Sequence, residues 1–114
     1  MHGLRGERTL MRIHIGERDK WEGRPLYEAI VRLLRDRHYA GATVLRAVMG
    51  FGASAHLRTE KVLDLSLDLP IVVECVETAE RIQAILPELD RMIGGGLITL
   101  ERVDVITYRP GEPH

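Results

Sequence analysis

Residues 42–77 read ATVLRAVMGFGASAHLRTEKVLDLSLDLPIVVECVE, and the folding of this stretch decides the architecture. Its first ten residues, 42–51, are β-rich and read as a strand. In its second half, Leu67, Leu69, Ile71, Val73 and Cys75 alternate with Asp68, Pro70, Val72, Glu74 and Val76. That period of two places a strand within 63–77. Pro70 cannot donate to a ladder, so it marks an edge, a bulge or a strand start. Between the two strands, Gly50-Phe51-Gly52 opens a run of small and charged residues without an apolar repeat. The strands are therefore joined by a long hairpin and not by a helix.

Outward from that hairpin, each flank adds one strand and one helix. In TLMRIHI (9–15), Met11, Ile13 and Ile15 point one way and Arg12 and His14 the other, which predicts the first strand. Residues 16–24 are polar and glycine-flanked, a loop. Pro25 suits the first position of a helix, whose apolar face is Leu26, Ala29, Ile30, Leu33 and Leu34. That helix is expected to end near His38, with Gly41 as its stop. On the other flank, Thr78 is the expected N-cap of a second helix carrying Ile82, Ile85, Leu86, Leu89 and Ile93. Pro87 is expected to bend or interrupt it, and Gly94–Gly96 to stop it. Residues 97–108 form the last strand. The βαββαβ order predicts an α+β, ferredoxin-like sandwich: an antiparallel sheet with two helices on one face.

The other sheet face is informative. Both alternating sets of the last strand contain apolar residues, and so do both sets of 42–51. Such a face is expected to pack against other subunits.

Composition narrows the function. The chain has 114 residues, with 16 basic and 17 acidic ones and a net charge of −1. This predicts one domain, 1–114, and offers no basic excess for nucleic acid. Residues 1–7 and the tail GEPH are expected to fray, leaving an ordered core of about 9–109. Cys75 is the only cysteine, which excludes an intrachain disulfide and fits a reducing cytoplasm. No apolar run approaches the ~18 residues of a membrane span, and charges interrupt the N-terminus where a signal peptide is apolar.

The fold class itself predicts a site. The ends of the first two strands and the start of the last lie at one end of the sheet. Three glycine-bearing loops therefore meet there: 16–24, 50–62 and 92–96. Gly50, Gly52, Gly94, Gly95 and Gly96 let backbone N–H groups approach an anion. Phe51 offers an apolar wall. Arg18, Lys20 and Arg58 are the cations for a phosphate, and Glu17 and Asp19 could hold a metal-bound water or a hydroxyl. No GxxxxGK[ST] or GxGxxG motif occurs. The case for catalysis is poor. No GxSxG surrounds Ser54 or Ser66, and Cys75 alternates with the core set. His14 alternates onto the helix-free face as an interface residue, His56 is a lone loop histidine, and no HxxxH or HxH pair supports a metal. Trp21 reads as a packing anchor that could line a pocket. The expectation is a binding protein, not an enzyme, with no required cofactor.

Three segments, GERDKWEGRPLYEAIV (16–31), AGATVLRAVMGFGAS (40–54) and LSLDLPIVVECVE (65–77), resemble the PII-like family catalogued as domain of unknown function 190. The resemblance runs from about Met11 to Tyr108. That family is similar in turn to the PII nitrogen-regulatory signalling proteins. The resemblance implies a cytoplasmic homotrimer that binds an adenine nucleotide (AMP, ADP or ATP) between subunits and regulates a transporter or enzyme. It gives Gly50-Phe51-Gly52 the base of the mobile loop, where backbone wraps the nucleotide, and Gly94–Gly96 the phosphate loop. Leu97 stands where PII proteins have a lysine, and Arg109, after Tyr108, is the one arginine near the end of the last strand. Ala53 and Ser54 stand where PII proteins have the glutamine that helps hold magnesium and 2-oxoglutarate. No tyrosine lies between Gly52 and Pro70, so the uridylylation switch is missing. Lys20 and Arg58 are then the first candidates for phosphate contact, and a ligand of low charge such as AMP needs fewer cations than ATP. The alternatives are a metal-handling trimer of the divalent-cation-tolerance type, with His14, His56 and Cys75 as its soft ligands, and a structural subunit without a small ligand. An acylphosphatase-like hydrolase needs an asparagine, and the chain has none.

Overall fold

A computed structural model describes residues 4–52, 56–59 and 68–111. The elements are β1 (Gly6–Gly16), β2 (Lys20–Trp21), β3 (Arg24–Pro25), α1 (Leu26–Asp36), β4 (Thr43–Arg46), β5 (Met49–Gly50), β6 (Arg58–Thr59), β7 (Pro70–Glu77), α2 (Ala79–Met92) and β8 (Leu97–Val105). Four of them form an antiparallel sheet in the order β4-β7-β1-β8. The fold is mixed α+β, with two helices and an antiparallel sheet, compatible with the ferredoxin-like pattern.

The alternation of β1 and β7 sets the register. Met11 stands opposite Cys75, Ile13 opposite Val73 and Ile15 opposite Ile71. Directly opposed residues share a face, so these six form one apolar surface. Leu26, Ile30 and Leu34 of α1 and Ile82, Ile85 and Leu89 of α2 cover it, and all twelve are buried in one core. The helical spacing of three and four places each trio on one stripe.

Several boundaries differ from expectation. β1 reaches back to Gly6, inside the stretch expected to fray, because Gly6 and Glu7 pair with Val105 and Asp104 of β8; Leu4 before it is buried. The loop 16–24 contains a tight hairpin, β2 with β3. Glu22 and Gly23 at its tip have φ of 48° and 81°, the two positive values of a type I′ turn. Pro25 is the N-cap of α1, with an extended ψ of 131°, and not its first helical residue.

The end of α1 is built by His38 and not by Gly41. His38 takes φ 61°, and its N–H donates to Arg35 O while that of Tyr39 donates to Leu34 O. That pair of bonds is a Schellman motif, with histidine where glycine is usual. Thr78 caps α2 as expected, accepting from Arg81 N–H at 3.3 Å. α2 runs unbroken through Pro87. The donor that Pro87 lacks would have served Gln83 O, and Gln83 is exposed.

The strand expected over 42–51 splits in two. Ala47 N–H still bonds Pro70 O at 2.9 Å, but Pro70 has no N–H to return, so the ladder with β7 ends there. The chain then leaves the sheet and pairs as β5 with β6. Pro70 is thus the strand start, and residues 63–67 of the expected third strand lie outside the described residues. β8 ends at Val105, short of the expected 108.

One ionic knot pins the two helices together. Glu77 is fully buried and accepts from Ala40 N–H, Thr78 N–H and Arg81 Nη1 at 3.0, 3.0 and 2.9 Å. Arg81 also donates to the carbonyls of Arg37 and His38 at the end of α1 and lies 4.1 Å from the Tyr39 ring centroid. Replacing Glu77 by alanine strands two amides and one buried face of a guanidinium. Glu77→Ala is expected to lower unfolding stability by about 3 kcal/mol in urea titration, and a loss under about 1 kcal/mol would contradict the arrangement.

Candidate functional site

The antiparallel pairing of β7 with both β1 and β4 makes β1 and β4 run the same way. The ends of β1 and β4 and the start of β8 therefore share one end of the sheet, with β4 and β8 at its two edges and β7 and β1 between them. Gly16 stands opposite Pro70, and His14 opposite Leu97. Gly50 reaches the same corner: a Cβ built on it would lie 3.0 Å from Pro70 Cγ.

The glycines divide into two kinds. A Cβ on Gly96 would sit 2.5 Å from His14 O, inside any allowed contact. Gly96 and Gly50 therefore serve the chain's own packing. Around Gly52, Gly94 and Gly95 no atom of the described residues lies within 4 Å of such a Cβ, and none of the three has a positive φ. Neither sterics nor backbone conformation within the described residues calls for glycine there. Among the glycines at this end of the sheet, those three leave bare backbone uncovered by other described residues.

The cations are less open than the sequence suggests. Arg58 Nη1 lies 2.7 Å from Asp68 Oδ2, and Arg46 Nε lies 3.1 Å from Glu17 Oε2. Asp68 Oδ1 also accepts Arg18 N–H at 2.9 Å, and Asp19 accepts Gly16 N–H at 2.9 Å. Glu17 N–H donates to Leu69 O at 2.9 Å. Glu17 thus ties the first loop to the start of β7 and to β4, and Asp19 closes that loop on Gly16, both structural tasks. Lys20 is exposed on β2. Phe51 is 71% exposed beside Gly50. Ala53 and Ser54 lie outside the described residues. Leu97 is 55% exposed at the start of β8.

Leu97 belongs to a row that no periodicity reading placed together. On the helix-free face, Leu45 stands opposite Val72, Val72 opposite His14, and His14 opposite Leu97. This mainly apolar row crosses the whole sheet beside the glycine corner. The next row carries Thr43, Glu74, Arg12 and Thr99. Arg12 binds Glu74 at 2.9 Å and Glu101 at 3.1 Å; the Glu74 bond first, and the carboxylate charges with it, raise the Arg12 pKa.

Cys75 faces the core, on the opposite side of the sheet from His14, so these two soft ligands do not converge. Burial, with a smaller push from Glu77, raises its thiol to about 12. Trp21 packs against the core and lines a groove of about 850 Å³ with Arg24, Leu33, Arg37, Glu88 and Met92. A second concavity, about 320 Å³, lies between Leu4, Leu10, Ala42, Glu74 and Tyr108. Neither includes a residue of 50–52 or 94–96.

Comparison with known proteins places this architecture in a family. Residues 8–105 match the family model DUF190, described as an uncharacterized ACR. The chain belongs to that family. It is 38% identical over 100 residues to a UPF0166 protein of Aquifex aeolicus, covering 88% of this chain and 94% of the relative. A UPF0166 protein of Methanocaldococcus jannaschii is 34% identical over 92 residues, 80% and 84% of the two chains. A second Aquifex aeolicus UPF0166 protein is 33% identical over 99 residues, 85% and 95%. Among the described residues no helix is long and apolar enough to cross a membrane.

Two measurements check this geometry. Gly96→Ala is expected to destabilise the chain by about 2–4 kcal/mol in urea unfolding, because the His14 carbonyl is backbone and cannot move aside cheaply; Gly94→Ala and Gly95→Ala are expected to stay within about 1 kcal/mol of the parent. For Cys75, the folded thiol ionises above the ordinary value near 9. Its contribution to stability is full below pH 9 and is lost as pH rises from there toward 12. At pH 8 the native protein is expected to resist a thiol reagent that labels the unfolded chain within minutes; equal labelling rates would contradict a core role.

Proposed function

We propose that the protein is a PII-like regulatory subunit that binds an adenine nucleotide in a cleft between copies of itself and signals through a partner protein. The observation that carries the reading is the corner itself. Three glycine-bearing loops lie at that end of the sheet, no described residue comes within 4 Å of a Cβ built on Gly52, Gly94 or Gly95 apart from chain neighbours, and the half-exposed row Leu45–Val72–His14–Leu97 runs between them. Packing the helix-free faces of several copies together would cover that row and bring a neighbour against the glycine corner. The site of one chain would then be half of a cleft. A homotrimer is the assembly this reading takes. Arg46 and Arg58 already face carboxylates, which favours a ligand of low charge, AMP before ATP. Phe51 supplies the apolar wall, and the regulated target is a transporter or an enzyme.

Two experiments test the reading together. Native mass spectrometry is expected to show trimers, and Leu97→Arg, which puts a charge in the apolar row, to shift them to monomers. Thermal-shift titration with AMP, ADP and ATP is expected to stabilise the parent by about 2.7 kcal/mol at one hundred times the dissociation constant. Phe51→Ala and Gly95→Ala are expected to reduce that shift without unfolding the chain. A monomer that responds to none of the three nucleotides would overturn the proposal.

A further inference from the structure

We propose that Arg58 senses the ligand's phosphate by exchange: Asp68 holds it in the empty site, and a bound phosphate takes it over. The proposal rests on the nucleotide reading above. Arg58 lies on β6 directly opposite Gly50, the residue before Phe51. Its guanidinium meets Asp68 Oδ2 at 2.7 Å, with side-chain exposures of 34% for arginine and 18% for aspartate. Asp68 has an independent anchor, because its other oxygen accepts Arg18 N–H from the first loop at 2.9 Å. The carboxylate is therefore the fixed partner, and the long, half-exposed arginine is the one that can change places.

The chemistry favours such an exchange. A guanidinium presents a planar fork of N–H donors that suits carboxylate and phosphate alike. A phosphate held by the bare backbone of Gly52, two residues beyond the Gly50 that Arg58 faces, would compete for the same fork. Arg46, another paired arginine of this end, lies inside the main sheet opposite Ile71, while Arg58 lies in the β5–β6 ribbon that has already left it. The exchange would also carry information. Asp68 joins the ribbon, through Arg58, to the first loop, through Arg18. Moving Arg58 onto a phosphate cuts that link, so occupancy of the site becomes a change in how the ribbon is held.

Isothermal titration with ATP, ADP, AMP and adenosine, on the parent, Asp68→Asn and Arg58→Gln, tests this. Asparagine keeps an oxygen for Arg18 N–H but removes the charge that competes with phosphate. Asp68→Asn is expected to tighten AMP about twofold to fivefold and leave adenosine unchanged, the size of a partly exposed ion pair. Arg58→Gln is expected to weaken AMP by a similar factor relative to adenosine. If Asp68→Asn does not fold by circular dichroism, Arg58→Gln decides alone. Nucleotide binding by the parent with neither variant changing the AMP-to-adenosine ratio overturns the exchange and leaves the nucleotide site standing. No binding of ATP, ADP or AMP by the parent overturns both.

Discussion

Ile13 stands opposite Val73, and this register holds the rest of the molecule in place. With it, Met11, Ile15, Ile71 and Cys75 share one face and both helices find a continuous apolar surface. A slip of one residue in β1 would turn its three inward side chains to the other face, leaving Arg12 and His14 under the helices. The same register brings His14 beside Leu97 and Gly16 beside Pro70. The placement of the glycine loops at this end of the sheet is thus a consequence of core packing.

That corner combines openness with restraint. Gly96 is tied to the His14 carbonyl by lack of space, and Gly50 abuts Pro70. Beside them, Gly52, Gly94 and Gly95 face no atom of the described residues. The charged side chains are mostly spoken for: Glu17 with Arg46, Asp68 with Arg58 and the Arg18 amide, Asp19 with the Gly16 amide. A surface so nearly neutral suits a ligand recognised by backbone and apolar contact more than by strong charge. This distinguishes the corner from a phosphate site crowded with lysine and arginine.

Much of the fold was legible because it depends on short-range periodicity. The alternation in 9–15 and 69–76 and the helical stripes of 26–34 and 82–89 appear as expected. Thr78 caps its helix, and Pro70 starts its strand. The misses each have a tertiary cause. His38 ends α1 because the Arg81–Glu77 knot receives the chain there, and that knot joins residues about forty positions apart. The strand 42–51 breaks because its partner begins with a proline that cannot return a hydrogen bond. Pro87 was expected to bend or interrupt α2, and α2 runs unbroken because the affected carbonyl belongs to an exposed residue.

The sequence by itself determined the order of the four main-sheet strands and the two helices, the two core faces and the end of the sheet that carries the glycine loops. These follow from hydrophobic period and strand direction, which are local properties. Only the tertiary structure decided which glycines are sterically required and which stand open, that Arg58 and Arg46 already hold carboxylates, and that Leu45, Val72, His14 and Leu97 form one row. Those facts depend on distances between residues remote in the chain, and no local pattern encodes a distance across the sheet.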